Sequence, residues 1–350
     1  MVTREGKKVI EVGGERKLIS IIRELLTKDV GTPCMDNIIK GIGDDSAILD
    51  LATYGGQPLY LLITTDTISQ HTHIPREMTA WQVGWHIVAI NLSDLAAMGG
   101  SPLAMVVALG LPPDYEVKLL KNLVKGMHTC GTKYNVPIVG GDTKRTRTLT
   151  ITGTAIGIIS STDFMLREGC KVGDIVAVTG ELGGAAAGYY CIRHKYNKNK
   201  YTKNAIKSLL EPEPRIREGI ALAQTRAVHA AIDISDGLAS SLYQLRELNP
   251  TVGFEIEFDK LPQAGSAMYL AQTKKLPIED LILYYGGDYE LLVTIEPGKL
   301  SNAISAVSAV GTKLTPIGKV TSNRKIVLIR NGKKSNIKNI GYNHFRSGST

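Results

Sequence analysis

Gly84-Trp85-His86-Ile87-Val88-Ala89-Ile90-Asn91-Leu92-Ser93-Asp94-Leu95-Ala96-Ala97-Met98 is the longest apolar stretch of the chain, and how it is read decides the fold. His86, Asn91 and Asp94 interrupt it, so it falls short of the roughly 18 uninterrupted apolar residues that a membrane span requires. Extended back to Glu77, the stretch carries Trp81, Trp85, Val88, Leu92 and Leu95 at steps of three and four, and Gly99-Gly100 ends the pattern. The spacing predicts a helix over 77–98 that is apolar on most sides, and is therefore buried or set against a partner subunit. Asp94 is discordant. A carboxylate on a buried apolar helix is costly unless it is paired or bound to a metal.

Short apolar runs bounded by Gly, Asp and Thr precede this helix at 46–50 and 59–65 and predict strands. A strand over 103–109, a helix over 114–134 after Pro112-Pro113, and strands over 136–139 and 149–159 follow it. Strand, strand, helix, strand, helix, strand, strand is an α+β order. The pattern breaks at polar residues over 160–169, which predicts two domains, 1–160 and 161–350. The second begins with a strand over 174–179 and a glycine-rich turn, Gly180 to Ala185, that enters a helix. Helices over 203–210 and 214–225 and strands over 230–234, 253–258, 289–295 and 325–329 complete the reading. The basic segment 195–203 reads as a solvated surface loop.

The 350 residues, 43% of them hydrophobic and 21% charged, have the composition of a globular protein with a sizeable core. Disordered, collagenous and disulfide-scaffold classes are excluded. The N-terminal residues Arg4, Lys7, Lys8 and Glu11 leave no apolar core for a signal peptide, so a cytoplasmic location is expected. Cys34, Cys130, Cys170 and Cys191 lack zinc-ligand spacing and read as small buried residues. An excess of 41 basic over 33 acidic residues gives +8, which favours anionic partners such as phosphates or RNA, or simply a Lys-rich surface.

The positions of the aspartates carry the functional signal. Asp44 and Asp45 stand in Gly41-Ile42-Gly43-Asp44-Asp45-Ser46, Asp66 in Thr64-Thr65-Asp66-Thr67, Asp142 in Gly140-Gly141-Asp142-Thr143, and Asp233 and Asp236 in Asp233-Ile234-Ser235-Asp236-Gly237. A single turn aspartate is more often a cap or Asx turn than a ligand. Several at strand ends, beside Thr and Ser hydroxyls and without His or Cys ligands, suit a hard cation, magnesium best, with phosphate completing its shell. No Gly-x-x-x-x-Gly-Lys-Ser/Thr or Gly-x-Gly-x-x-Gly run occurs, so P-loop and dinucleotide-binding classes are disfavoured.

Gly14-Glu15, Gly-Ile-Gly-Asp-Asp at 41, Thr-Thr-Asp-Thr at 64, Asn-Leu-Ser-Asp-Leu-Ala-Ala-Met-Gly at 91, Gly-Gly-Asp-Thr at 140, Asp-Ile-Ser-Asp-Gly at 233 and Gly-Tyr-x-His-Phe at 341 occur in the order found in thiamine-monophosphate kinases. The chain resembles that family over nearly its whole length. The family belongs to the superfamily of aminoimidazole ribonucleotide synthetase, which binds ATP without a P-loop. The resemblance implies a ferredoxin-like α+β first domain that pairs into a dimeric β-barrel, a larger α/β second domain, and a homodimer. It implies ATP-dependent phosphorylation of thiamine monophosphate with several Mg2+, and neither a nucleic-acid nor a membrane partner.

Residue by residue, it implies metal contacts at Asp45, Thr64, Thr65, Asp66, Asp94, Asp142, Asp233 and Asp236, and ATP contacts at Gly141, Asp142, Arg167 and Ser235. Asp94 and Asp142 would be catalytic through their metals, and Arg145, close after Gly-Gly-Asp-Thr, could clamp phosphate oxygens. His73, seven residues beyond Asp66, and Tyr342 would contact the acceptor. The chain departs from the family at Gly286-Gly287-Asp288-Tyr289-Glu290, where relatives read Gly-Gly-Glu-Asp-Tyr-Glu; Asp288 is the residue that could replace the lost Glu. Three alternatives stay open at this point. Selenophosphate synthetase and the carbamoyl-dehydrating hydrogenase maturation enzyme would want a reactive or C-terminal Cys, and a catalytically silent nucleotide-binding protein would fit the altered motif.

Overall fold

A computed structural model describes residues 38–40, 42–54, 57–196 and 199–341. Gly14-Glu15, Cys34 and Tyr342 lie outside the described residues. The first sheet is built from β1 (Ile38–Lys40), β2 (Ala47–Tyr54), β3 (Gln57–Ser69), β4 (Ser101–Leu111), β5 (Ile138–Arg145) and β6 (Thr150–Ser160), in the order β1-β2-β3-β6-β4-β5. Helix α1 (Ala80–Ala97) connects β3 to β4, and α2 (Val117–Lys133) connects β4 to β5. Only β4 and β5 run parallel, joined by the helical crossover that a parallel pair requires. The ferredoxin-like expectation does not describe this sheet: that motif runs β-α-β-β-α-β, whereas this chain runs β-α-β-α-β-β from β3 to β6.

The second sheet contains β7 (Ile175–Thr179), β8 (Val228–Asp233), β9 (Gly253–Glu257), β10 (Leu291–Ile295), β11 (Leu314–Thr321), β12 (Ile326–Arg330) and β13 (Lys333–Asn336), in the order β13-β12-β9-β11-β7-β10-β8. Only β9 and β12 are parallel. The expected α/β second half is therefore also α+β, because a mainly antiparallel sheet needs no helix after every strand. Its helices are α3 (Gly184–Arg193), α4 (Lys200–Leu210), α5 (Ile216–Thr225), α6 (Leu238–Leu248), α7 (Gly265–Lys274), α8 (Ile278–Leu283) and α9 (Leu300–Ala309). No helix among the described residues is long and apolar enough to cross a membrane.

Helix α1 starts where its sequence can satisfy the first free N–H groups. Thr79 Oγ1 accepts from the Gln82 N–H at 3.2 Å, and Gln82 Oε1 accepts from the Thr79 N–H at 3.0 Å, a reciprocal capping box. Its uniformly apolar surface follows from its place. Ile87, Val88, Leu92 and Leu95 are fully buried in one core shared with Leu222 and Ala223 of α5, Ala231 of β8 and Leu291 and Val293 of β10. Glycine allows the closest approaches. A Cβ on Gly84 would lie 1.9 Å from Leu123 O, and one on Gly126 would lie 1.8 Å from Trp81 O, so α1 and α2 meet backbone to backbone. Trp85 Nε1 donates to Pro212 O at 2.8 Å, closing the other flank. The helix is thus buried within one chain, between both sheets.

Candidate functional site

The last turns of α1 deliver side chains to the seam between the sheets. Asp94 from α1, Asp45 from the turn before β2, and Asp233 at the end of β8 offer carboxylate oxygens within 4.8 Å of one another. Each is held by a local partner. Thr64 Oγ1 on β3 donates to Asp94 Oδ2 at 2.5 Å, Ser93 Oγ donates to Asp233 Oδ2 at 2.7 Å, and Ser235 Oγ reaches Asp233 Oδ1 at 3.3 Å. Arg167 clamps Asp45 with two bonds, Nε to Oδ2 at 2.9 Å and Nη2 to Oδ1 at 2.5 Å, while its own N–H donates to Asp44 Oδ2 at 3.2 Å. Gln244 Oε1 accepts from Arg167 Nη1 at 3.2 Å and fixes the fork.

Arg167, with Lys40 Nζ 3.8 Å from Asp44 Oδ2, does not balance this many carboxylates. Burial, then the charges of Asp66, Asp233 and Asp45, push Asp94 well above the ordinary carboxylate range. Burial and Asp45 push Asp233 up to about 7, and burial and Asp45 push Asp44 up to about 6. Carboxylates this reluctant to ionise together are the signature of a place meant for added positive charge. The donor set consists of oxygen only, and Ser46 Oγ, next to Asp45, is buried without a partner. Oxygen donors, clustered carboxylates and an orphaned hydroxyl fit a hard divalent cation such as magnesium.

The expected residues divide into those gathered here and those that are not. Asp45, Thr64, Asp94, Arg167, Asp233 and Ser235 are in direct contact or within the cluster. Asp66, whose N–H donates to Asn91 Oδ1 at 3.1 Å, lies close enough to raise both Asp94 and Asp233, and Asp236 lies near the same space. Thr65 turns the other way: on a strand successive side chains alternate, and its hydroxyl donates to Gly153 O at 2.7 Å. Gly141, Asp142 and Arg145 lie on the edge strand β5, in register with β4, and are exposed. Gly141 aligns through Val107 and Gly153 with Asp66, three inter-strand spacings away, or about 14 Å. Asp142 lines an open groove of about 910 Å3 between β5 and α2, with Lys144 Nζ at 3.4 Å.

On the acceptor side, His73 lies in the turn after β3, its Nδ1 accepting from the Ser69 N–H at 3.2 Å. Asp288 faces elsewhere. Its carboxylate accepts from the Gly183 N–H at 2.7 Å and the Ala185 N–H at 3.0 Å, so it caps the start of α3 from a distance, and burial pushes it up to about 7. It is engaged with backbone and does not reach out in place of the lost Glu. Gly287 has φ +95, in the left-handed region, so a side chain there would be strained.

Sequence reasoning missed Ser93, Asn91, Ser46 and Gln244. The signal for two of them was present, since Ser93 and Asn91 are polar residues on a helix with no solvent face. Asn91 anchors itself through Nδ2 to Ile87 O at 2.8 Å and offers Oδ1 to β3.

The chain matches the family models of AIR synthase related proteins, the N-terminal domain over residues 43–159 and the C-terminal domain over 171–331. It is 36% identical over 315 residues to the thiamine-monophosphate kinase of Methanospirillum hungatei, covering 90% of this chain and 94% of the relative. It is 37% identical to that of Buchnera aphidicola subsp. Schizaphis graminum, covering 88% and 93%. The solved structure of AaThiL complexed with AMPPCP and TMP superposes with a TM-score of 0.82 at 27% identity, covering 97% of this chain and 99% of that one. With the oxygen-donor cluster at the seam of two such sheets, these matches establish that the chain belongs to the thiamine-monophosphate kinase family of AIR synthase related proteins.

Proposed function

We propose that this protein transfers a phosphoryl group from ATP to thiamine monophosphate, giving thiamine diphosphate and ADP by direct in-line transfer. The observation that carries the reading is the convergence of Asp45, Asp94 and Asp233 within 4.8 Å in a chain of this family. A phosphomonoester has its second pKa near 6, so the acceptor is already largely ionised at neutral pH and needs no general base. The obstacle is repulsion between two polyanions. Bound magnesium would supply Lewis-acid charge neutralisation. Asp45, Asp94, Asp233, Asp66 and Asp236 would hold it, Thr64 and Ser93 would keep two of these carboxylates in place, and Arg167 would add a fixed positive charge. Asp142, Gly141 and Arg145 would serve the phosphates from β5, and His73 and Tyr342 the acceptor.

The same reading carries a cytoplasmic homodimer. Edge strand β5 and the exposed Leu103 and Val139, the latter 64% exposed, support pairing of a second copy along this sheet into a barrel. A division of labour at 160/161 is supported by the matched segments, which end at 159 and resume at 171. Neither half would be active alone, since Asp94 belongs to one and Asp233 to the other.

The test is turnover of MgATP with thiamine monophosphate and, separately, with free thiamine. Formation of the diphosphate from the monophosphate, with thiamine reacting poorly, is expected. Comparable rates with both would sink the assignment, because the hydroxyl of thiamine must first be deprotonated whereas the phosphate of the monophosphate is already ionised.

A further inference from the structure

Tyr289 has φ +50, a left-handed backbone conformation that a bulky aromatic residue rarely adopts. The surroundings over-determine it. Its N–H donates to Ile234 O at 3.0 Å, and the Ile234 N–H donates to Glu290 O at 2.7 Å, tying the strained residue to the strand end that carries Asp233. The next side chain, Glu290, is buried and gripped by Arg215, Nε to Oε2 at 2.6 Å and Nη2 to Oε1 at 2.5 Å, with Thr179 Oγ1 donating at 2.7 Å. Strain held this firmly is found where a side chain must be aimed.

The target is the carboxylate seam. The Tyr289 phenol lies in the combined field of Asp66 and Asp94 from the first half and Asp233 and Asp236 from the second. Its ring meets that of His86 at a right angle, 83° with centroids 6.0 Å apart. His86 stands on α1 two turns before Asp94, close enough to His73 to feel its charge, and its Nδ1 is buried without a hydrogen-bond partner. Tyr289 and His86 thus meet edge-on beside the carboxylates. A phenol among carboxylates is a neutral donor that can bond an anionic oxygen brought there by cations, without adding to the negative charge.

We propose that the Tyr289 hydroxyl is a substrate contact that donates to the phosphate of the acceptor, and that His86 is a positioning residue that holds the Tyr289 ring edge-on. The inference rests on the kinase reading above. Tyr289→Phe keeps the ring, the backbone conformation and the His86 contact, and removes only the donor. Its kcat/KM for thiamine monophosphate should fall about tenfold or more, with the melting temperature and the calorimetric affinity for MgATP unchanged. His86→Leu should raise KM for the acceptor roughly threefold to tenfold at constant kcat.

No turnover of thiamine monophosphate by the parent chain overturns the kinase reading itself. Parent turnover with a Phe variant within about twofold of it in kcat/KM overturns only the Tyr289 contact. A parallel loss of MgATP affinity in the Phe variant would assign the hydroxyl to the nucleotide and also overturn the proposal. Lowered kcat at unchanged KM in His86→Leu would overturn the positioning role.

Discussion

Asp94 is half-buried among like charges, and removing its charge should have opposite effects on stability and activity. In Asp94→Asn the metal-free protein loses an unfavourable repulsion and should melt slightly higher, about 1–2 °C for roughly 1 kcal/mol in a chain of 350 residues. ATP turnover should drop to background, and the stabilisation by magnesium should shrink. Near-normal turnover would exclude a metal role. Proton linkage gives a second test. Asp233 and Asp288 are pushed up to about 7 and Asp44 to about 6, from an ordinary 3.8, so the folded metal-free protein binds more protons than the unfolded chain between those values. Their stabilising contribution is complete below the unfolded value and is lost as pH rises through about 6 to 7. Calorimetric melting in chelator should therefore fall from pH 5 to pH 8, and added magnesium should raise it more at pH 8, where protons compete less. A melting temperature that rises over this range would contradict the linkage. At this scale the sequence identified Asp94 because a charge on an apolar helix is anomalous. It could not show that Asp288 is consumed by the α3 backbone, since those contacts span more than 100 residues of chain, or that Gly287 has a conformation hostile to a Glu, since its N–H is tied to Ser235 O of another segment.

Among the elements, α1 was legible almost to its ends, because its stripe of large residues and its terminating glycines are local signals. The strands β3, β4 and β6 were legible for the same reason, as β-branched runs between turn residues. The element order of the first half was read apart from β1, and that order itself already departed from β-α-β-β-α-β. Helices α6 to α9 and strand β11 were not read. Strand β11 contains Pro316 and Gly318, residues that argue against a strand, and the sheet accommodates them with an irregularity between those two positions. Helix α9 is Ala- and Ser-rich, with Leu300, Ala303, Ile304 and Val307 as its only apolar periodicity. The tightest element contact yields a prediction. Gly126→Ala would place a methyl 1.8 Å from Trp81 O, so α1 and α2 must separate, and the urea midpoint should drop by the equivalent of about 1–3 kcal/mol. Unchanged stability would mean that the helices do not meet as closely as described.

For the whole molecule, the break near 160–169 is legible in the sequence, but the core shared by both sheets is not, because apolar periodicity does not tell which sheet a helix face will meet. The outer edge of the first sheet offers a further test. Val139→Lys places a charge on the exposed edge strand β5 and should shift the sedimentation profile from dimer toward monomer, with little change in the secondary structure of each chain. A monomeric parent chain, or a dimer indifferent to this charge, would remove the proposed pairing.

The burial of α1 between both sheets also limits how such a chain can be recombined. A crossover placed in the polar stretch near 165 exchanges Gly219 and Asp233 while keeping Ala96 and Ser93, which meet them so closely that a Cβ on Gly219 would lie 2.1 Å from Ala96 O and that Ser93 Oγ donates to Asp233 Oδ2 at 2.7 Å. Halves from two lineages would therefore be compatible only if α1 travelled with the second half's surface or if that surface had stayed fixed. Inheritance should treat the two segments as one unit, with the linker between them, which carries Arg167 and the buried Met165, no point of exchange.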